Sequence, residues 1–187
     1  IFYRLKILDL SDKADQPMMS SNGRYLILFN GEIYNFKEIK KKYQLITKSD
    51  SDTEVLIQLF EKVGVKKTLE CIDGMFSFII YDKHQNSVYF ARDRFGIKPL
   101  YYFEDNKKII FSSEIKPLLK YSNSNLNQQK TLDFFLRQSM DHDEDTFFSN
   151  IKCLKPSNYG KANSNNFELK KYWEIEKKNF NKESLQE

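Results

Sequence analysis

The 187-residue sequence holds only two cysteines. Cys71 and Cys153 lie far apart and form no Cys-x-x-Cys pair. A disulfide framework and a cysteine zinc site are therefore excluded, and a reducing, cytoplasmic setting fits. No stretch approaches the ~20 consecutive apolar residues that a membrane helix needs. No signal peptide is legible, because residue 4 is already Arg and no apolar core follows. Arginine is scarce too: Arg4, Arg24, Arg92, Arg94 and Arg137 stand among 30 cationic residues. Lysine thus carries the general surface charge, and each Arg draws notice because its planar fork suits carboxylates. Residue 1 is Ile, not Met, so the sequence reads as one whose beginning is missing. There is no internal repeat, and no low-complexity tract beyond a mild Asn and Lys bias.

What is present is globular. Hydrophobic residues make up 40% and aromatics 15%, with 16 Phe and 11 Tyr, enough for one domain with a sizeable core or one domain plus a tail. The net charge of +4 raises a nucleic-acid reading. The cations are spread out, however, and the one cluster, Lys40 to Lys42, reads as a solvated helix face. Neither nucleic acid nor membrane is expected as a partner.

Along the chain, "RLKILDL" (4–10) alternates as a strand does. "RYLILF" (24–29) and "EIYNF" (32–36) flank Asn30-Gly31, and Asn-Gly between apolar runs is a strong hairpin-turn signal. In "SDTEVLIQLFEKVG" (51–64), Val55, Leu56, Leu59, Phe60 and Val63 form one helical stripe. Ser51 and Glu54 have the capping-box spacing, and Gly64 reads as the stop. "MFSFIIYD" (75–82) reads as a buried strand, with Cys71 as a small apolar filler before it. "SVYFARD" (87–93) returns from a turn at 84–86, and "PLYYF" (99–103) and "KIIFSS" (108–113) read as further strands. "EIKPLL" begins a helical turn, "KTLDFFLRQ" (130–138) a helix, and "FELKKYW" (167–173) a last strand, although polar residues dominate from 122 onward. Short hairpin-joined strands with few helices imply stacked antiparallel sheets covered by helices.

Taken singly, three features read as structure. Arg4 is a solvated strand end, Asp52 a helix cap, and "ARDRFGIKPLYY" (91–102) a turn fixed by Gly96 and Pro99. Taken together with "RLKILDLSDKADQPM", "FNGEIYNFKE", "SDSDTEV", "GMFSFIIYD" and "FSSEIKPLL", the chain resembles the glutaminase domain of asparagine synthetases, the class II glutamine amidotransferases. The later "IKCLKPSNYG" and "FELKKYW" resemble the segment that follows in the same family.

The resemblance implies an α+β fold, the Ntn-hydrolase four-layer αββα sandwich of two mostly antiparallel sheets. Residues 1–175 would be the amidotransferase domain, and 176–187 a linker towards an ATP-dependent synthetase domain of the same chain. That partner domain would use ATP and Mg, while the glutaminase domain would need neither cofactor nor metal. L-glutamine would be the substrate, a homodimer being compatible with the resemblance. Its ammonia would convert aspartate to asparagine through a β-aspartyl-AMP intermediate. Two alternatives share the resemblance: amidation of a sugar acid in surface-polysaccharide synthesis, and a degenerate non-catalytic domain.

Glutamine is a zwitterion bearing a carboxamide, so its site needs a cation, an anion and an oxyanion hole. By resemblance, Arg4 grips the α-carboxylate with its fork. Asp52 pairs with the α-ammonium, and Glu32 joins it as a substrate-binding residue. Asn30 (side-chain N–H) and Gly31 (backbone N–H) form the oxyanion hole, the Asn-Gly turn presenting it. Arg92, Asp93, Lys98 and Glu114 would brace the sheet and loops, Lys98 being equally compatible with the path to the partner domain. The family nucleophile is an N-terminal cysteine, followed by a His-Arg-Gly-Pro-Asp loop, and neither stands in these residues. The Ser-Gly-Gly-x-Asp-Ser pyrophosphatase motif is also not among them. The 187 residues are therefore expected to bind glutamine poorly and to hydrolyse none.

Overall fold

The computed structural model describes residues 7–139 and 143–176. Arg4 and most of the expected linker (177–187) lie outside the described residues. Nine strands, four α-helices and one short 3-10 helix (Asp12–Ala14) are seen among the described residues; the strands and α-helices are labelled. In chain order they are β1 (Met18–Met19), β2 (Tyr25–Ile33), α1 (Phe36–Lys42), α2 (Asp52–Cys71), β3 (Gly74–Asp82), β4 (Ser87–Arg92) and β5 (Tyr101–Glu104). They continue with β6 (Ile109–Ser112), α3 (Ile115–Leu118), α4 (Gln128–Arg137), β7 (Ile151–Cys153), β8 (Asn158–Ala162) and β9 (Phe167–Lys171).

The strands form a six-stranded sheet, β1-β2-β3-β4-β8-β9, and a three-stranded sheet, β6-β5-β7. Every pairing is antiparallel. Side chains alternate across a strand, and β2, β3 and β4 use both faces. Ile27, Phe29, Ile33, Phe76, Phe78, Ile80 and Ala91 point to α2, where Val55, Leu56, Leu59 and Phe60 meet them. On the opposite face Ile79, Val88 and Phe90 pack against Leu100, Phe111 and Leu154, which joins the two sheets. Helix α3 packs on β5 and β6. The result is the α+β sandwich of two antiparallel sheets between helical layers. It explains why β3 reads as a mostly apolar run, interrupted by Ser77: both faces are covered.

Four local expectations give way to longer-range constraints. Residues 7–10 form no strand, and Ile7, Leu8 and Leu10 are exposed, because no neighbouring strand pairs with them. Asn30-Gly31 is not a hairpin turn. It lies inside β2, whose partner is β3, in the register Asn30↔Ser77 and Gly31↔Phe76. "EIYNF" is not one strand, since β2 stops at Ile33 and α1 begins at Phe36. Gly64 does not end α2 but kinks it at φ 75°, ψ 173°, after which the helix resumes to Cys71.

The expected capping box is also rebuilt. Ser51 Oγ accepts the Thr53 N–H at 3.2 Å as a cap should. Glu54 turns instead to the preceding loop, where its carboxylate accepts the N–H groups of Lys48 (2.8 Å) and Ser49 (2.7 Å). That loop is thereby fixed in front of the helix start.

Candidate functional site

The geometry that matters is built on the outer edge of β2. Backbone groups of an antiparallel strand point alternately to its two neighbours. Phe76 exchanges hydrogen bonds with Asp93 on the β4 side: its carbonyl accepts the Asp93 N–H (2.8 Å) and its N–H donates to Asp93 Oδ2 (3.2 Å). Phe76 therefore turns away from Gly31, its opposite on β2, and the odd-numbered residues of β2 direct their backbone groups to the outer edge. Strand β1 covers only Leu26 and Ile27 of that edge. Beyond it, side chains take over. Gln16 brackets Phe29, its Oε1 accepting the Phe29 N–H (2.6 Å) and its Nε2 donating to the Phe29 carbonyl (3.2 Å). Asp52 Oδ2 accepts the Ile33 N–H (2.9 Å). Gly31 lies between these two and faces the same way.

Gly31 is required there. At φ 153° a Cβ would stand 2.1 Å from the Met75 carbonyl oxygen and 2.7 Å from the Phe76 Cα, so no side chain fits. Asn30, its neighbour, is half-buried and points to the other face, with Nδ2 3.4 Å from Ser113 Oγ just past β6. A carboxamide N–H and a backbone N–H thus sit on adjacent residues, the first on a face of the sheet and the second toward an edge that, among the described strands, β1 pairs only at Leu26 and Ile27.

Two carboxylates adjoin them. Asp52 opens α2 and is buried, with Oδ1 accepting the Thr53 N–H at 2.8 Å. It serves the cap and the strand at once, because α2 starts where β2 ends. Burial raises its carboxyl above the ordinary value of 3.8. The backbone donors at Ile33 and Thr53 oppose that rise, and the nearby Glu32 charge adds to it. Glu32 is half-buried at the same end of β2. Like charges held together at a partly dry site favour a cation between them.

Arg92 and Asp93 organise a separate feature, the loop 93–99. The buried Asp93 carboxylate accepts four backbone N–H groups, from Phe76 (3.2 Å), Phe95 (3.0 Å), Ile97 (3.0 Å) and Lys98 (2.9 Å). The Arg92 guanidinium donates to the carbonyls of Lys98 (2.8 Å), Leu154 (2.7 Å) and Gly96 (2.6 Å). Lys98 enters this loop through its backbone. Glu114 is the exposed residue before α3, its own N–H donating to Ser112 Oγ.

Sequence reasoning missed Gln16 and Ser113. Gln16 imitates a strand with a side-chain amide, and no periodicity betrays that. The two thiols stand elsewhere. Cys71 packs against the core as the expected filler, and its Sγ also lies 3.1 Å from Tyr43 Oη. Cys153 on β7 faces Arg92 at 3.2 Å. No metal-binding cluster occurs among the described residues. No helix of the described residues is long and apolar enough to cross a membrane.

Residues 2–173 match the family described as the glutamine amidotransferase domain, and the chain belongs to that family. It is 40% identical over 184 residues to glutamine-hydrolysing asparagine synthetase 2 of Bacillus subtilis, covering 94% of this chain and 24% of that protein. A putative glutamine-hydrolysing asparagine synthetase of Methanocaldococcus jannaschii is 41% identical over 130 residues, 62% of this chain and 25% of that one. The chain thus spans about a quarter of the length of these relatives. Among solved structures it is similar to the glutamine phosphoribosylpyrophosphate amidotransferase of Bacillus subtilis. The TM-score is 0.59 at 19% identity, over 84% of this chain and 32% of that one. At that identity the likeness concerns the fold.

Proposed function

We propose that this chain is the glutamine-hydrolysing part of an enzyme that passes ammonia to an ATP-dependent domain for the conversion of aspartate to asparagine. Residues 1–175 form the amidotransferase domain, and 176–187 lead on towards the second. The reading rests above all on the edge of β2. There Gln16 and Asp52 occupy the donors on either side of Gly31, so the strand is held in shape around one position from which a side chain is sterically barred.

In this reading a thiolate adds to the side-chain carbonyl carbon of glutamine. The carbonyl oxygen becomes an oxyanion, received by the Asn30 side-chain N–H and the Gly31 N–H. The proton given up by the thiol passes to the amide nitrogen, which leaves as ammonia; a thioester forms, and water then releases glutamate and restores the thiol. Each oxyanion donor contributes on the order of 3 kcal/mol to the transition state. Glu32 and Asp52 receive the α-ammonium, which relieves the repulsion between them, and Arg4 holds the α-carboxylate. Arg92, Asp93, Lys98 and Glu114 serve the scaffold around this edge. Neither Cys71, against Tyr43, nor Cys153, against Arg92, adjoins the Asn30 edge. A polypeptide of residues 1–187 alone is therefore expected to release no ammonia from glutamine.

Kinetics of Asn30→Ala in the full-length protein test the reading. We expect kcat for glutamine hydrolysis to fall about a hundredfold with KM little changed, since the contact strengthens only as the oxyanion forms. Unchanged kcat would return Asn30 to a purely structural place in the strand. Supplying aspartate or a sugar acid as acceptor, with ATP, separates asparagine synthesis from the amidation of other carboxylates.

A further inference from the structure

Glu54 turns its carboxylate onto the chain in front of its own helix. It stands in the first turn of α2, where the helix N-terminus favours a negative charge, and it is buried. Its Oε1 accepts the Lys48 N–H (2.8 Å) and the Gln58 side-chain amide (3.3 Å). Its Oε2 accepts the Ser49 N–H (2.7 Å) and the Ser49 hydroxyl (2.5 Å). The oxygen of that hydroxyl accepts the Ser51 N–H at 3.4 Å. In a capping box the glutamate would take that N–H itself. Gln58 adds a second hold by donating to the Ile46 carbonyl at 2.8 Å. Two side chains of α2 thus fasten residues 46–51, and the buried charge of Glu54 gathers four of the donors.

The fastened loop reaches further. The Asp50 N–H donates to Asp9 Oδ2 (2.9 Å), and Asp9 Oδ1 accepts the Ser11 N–H (2.8 Å). Asp9 follows closely on Arg4 in the sequence, so the loop is tied to the segment that Arg4 leads into. The two segments are also the walls of an open cavity of about 410 Å³, with Leu8 and Lys13 on one side and Thr47 and Lys48 on the other. Leu8 and Leu10 are exposed, so this junction rests on hydrogen bonds more than on apolar packing. At its other end the loop runs straight into Asp52, whose Oδ2 holds the Ile33 N–H at the end of β2. One run of bonds, from Glu54 through residues 48–50 to Asp9, therefore joins the segment after Arg4 to the start of α2.

We propose that Glu54 is a positioning residue: by bracing loop 46–51 against Asp9 it fixes the spacing between the segment after Arg4 and Asp52. Those are the two places given above to the α-carboxylate and the α-ammonium of glutamine, so the inference rests on that function and deepens it. A zwitterion is gripped at both ends only where its two counter-charges stand at one separation, and a slack of about 1 Å in such a frame is costly. Neither Glu54 nor Asp9 touches glutamine in this arrangement. The test is the kinetics of Glu54→Gln and Asp9→Ala in the full-length protein, with hydrogen exchange at the Asp50 amide. Gln keeps the shape of Glu54 but turns an NH2 towards the donors of the loop. In each variant KM for glutamine should rise about fivefold or more, with kcat within about twofold and ammonia-dependent synthesis unchanged. The double variant should be no worse than the worse single one, because both cut the same run of contacts. In Glu54→Gln the Asp50 amide should exchange about tenfold faster while the amides of β3 keep their protection. Additive KM effects, a fall in kcat in place of a rise in KM, or unchanged Asp50 exchange would overturn the proposal. Asp9 is only half-buried, so Asp9→Ala still reads the KM effect if Glu54→Gln fails to fold. The exchange needs no turnover: a full-length protein that hydrolyses no glutamine yet shows the faster Asp50 exchange would refute the function and keep the brace.

Discussion

Asp93 and Asp52 are two buried aspartates, one in the loop after β4 and one opening α2, and the protein treats them differently. Asp93 is saturated, with four backbone N–H groups converging on its two oxygens. Asp52 has one such bond per oxygen from its neighbours at Ile33 and Thr53, and it sits near a second carboxylate, Glu32. A carboxylate whose charge is spread over four donors is a staple, and it holds loop 93–99 closed. A buried carboxylate with fewer donors and a like charge nearby is held above its ordinary value, by burial first and by the Glu32 charge as well. The contrast separates a carboxylate wholly taken up by backbone donors from one with fewer donors and a like-charged neighbour, a distinction that burial alone does not make.

The strongest way to break the comparison is at Gly31, which both halves need. Gly31→Ala would drive a Cβ into the Met75 carbonyl oxygen and the Phe76 backbone. Strain of about 3 kcal/mol or more is expected. A melting temperature lower by ten degrees or more, with hydrolysis abolished in the full-length protein, is the expected outcome. Unchanged melting would show that β2 and β3 can part without cost.

Next is Asp93→Ala. It orphans four N–H groups, only some of which water can reach, and it should cost about 3 kcal/mol in denaturant unfolding. KM for glutamine should move little once the protein is folded. A change confined to KM would place Asp93 with the ligand instead of the loop.

The smallest effect is in pH, and its sign differs between sites. Arg24 grips Asp82 through both oxygens (2.9 and 2.6 Å) and holds that carboxyl below its ordinary 3.8. The stability Asp82 supplies is thus present above pH ~3.8 and lost as pH falls through its lowered value. Asp52, raised by burial, does the reverse: its contribution is full below its ordinary value and is lost as pH rises through the raised one. Melting curves from pH 7 to 3 should show the advantage of wild type over Asp82→Asn shrinking at the acid end. For Asp52→Asn, wild type should gain on the variant over the same range. Parallel curves would mean that neither pKa departs from its unfolded value.

Much of the fold was legible because it rests on local periodicity. The stripe Val55–Leu56–Leu59–Phe60 seats α2, and the mostly apolar run of β3 marks the central strand. What escaped depends on distant partners. Asn30-Gly31 carries the dipeptide statistic of a hairpin, yet β3, some 46 residues on in the register, claims it as strand. Strand β8, "NYGKA", is too polar to announce itself and is held by β4 and β9. The candidate residues Asn30, Gly31, Glu32 and Asp52 were named through resemblance, and they stand near one end of β2. Gln16 has no such signature, because a side chain standing in for a strand leaves no pattern to read.

The account depends most on Asp52 being a ligand group as well as a helix cap. Glutamine-dependent and ammonia-dependent synthesis by full-length Asp52→Asn, measured beside its melting temperature, tests this directly. The substitution keeps the size of the side chain but replaces one acceptor oxygen with an NH2, which cannot serve both the Ile33 and the Thr53 N–H, so a stability loss of about 1–3 kcal/mol is expected. The account predicts a large fall in kcat/KM for glutamine with ammonia-dependent synthesis preserved, because free ammonia bypasses the β2 edge. Equal loss of both activities, or a lowered melting temperature without a glutamine defect, would contradict it and leave Asp52 as a helix cap.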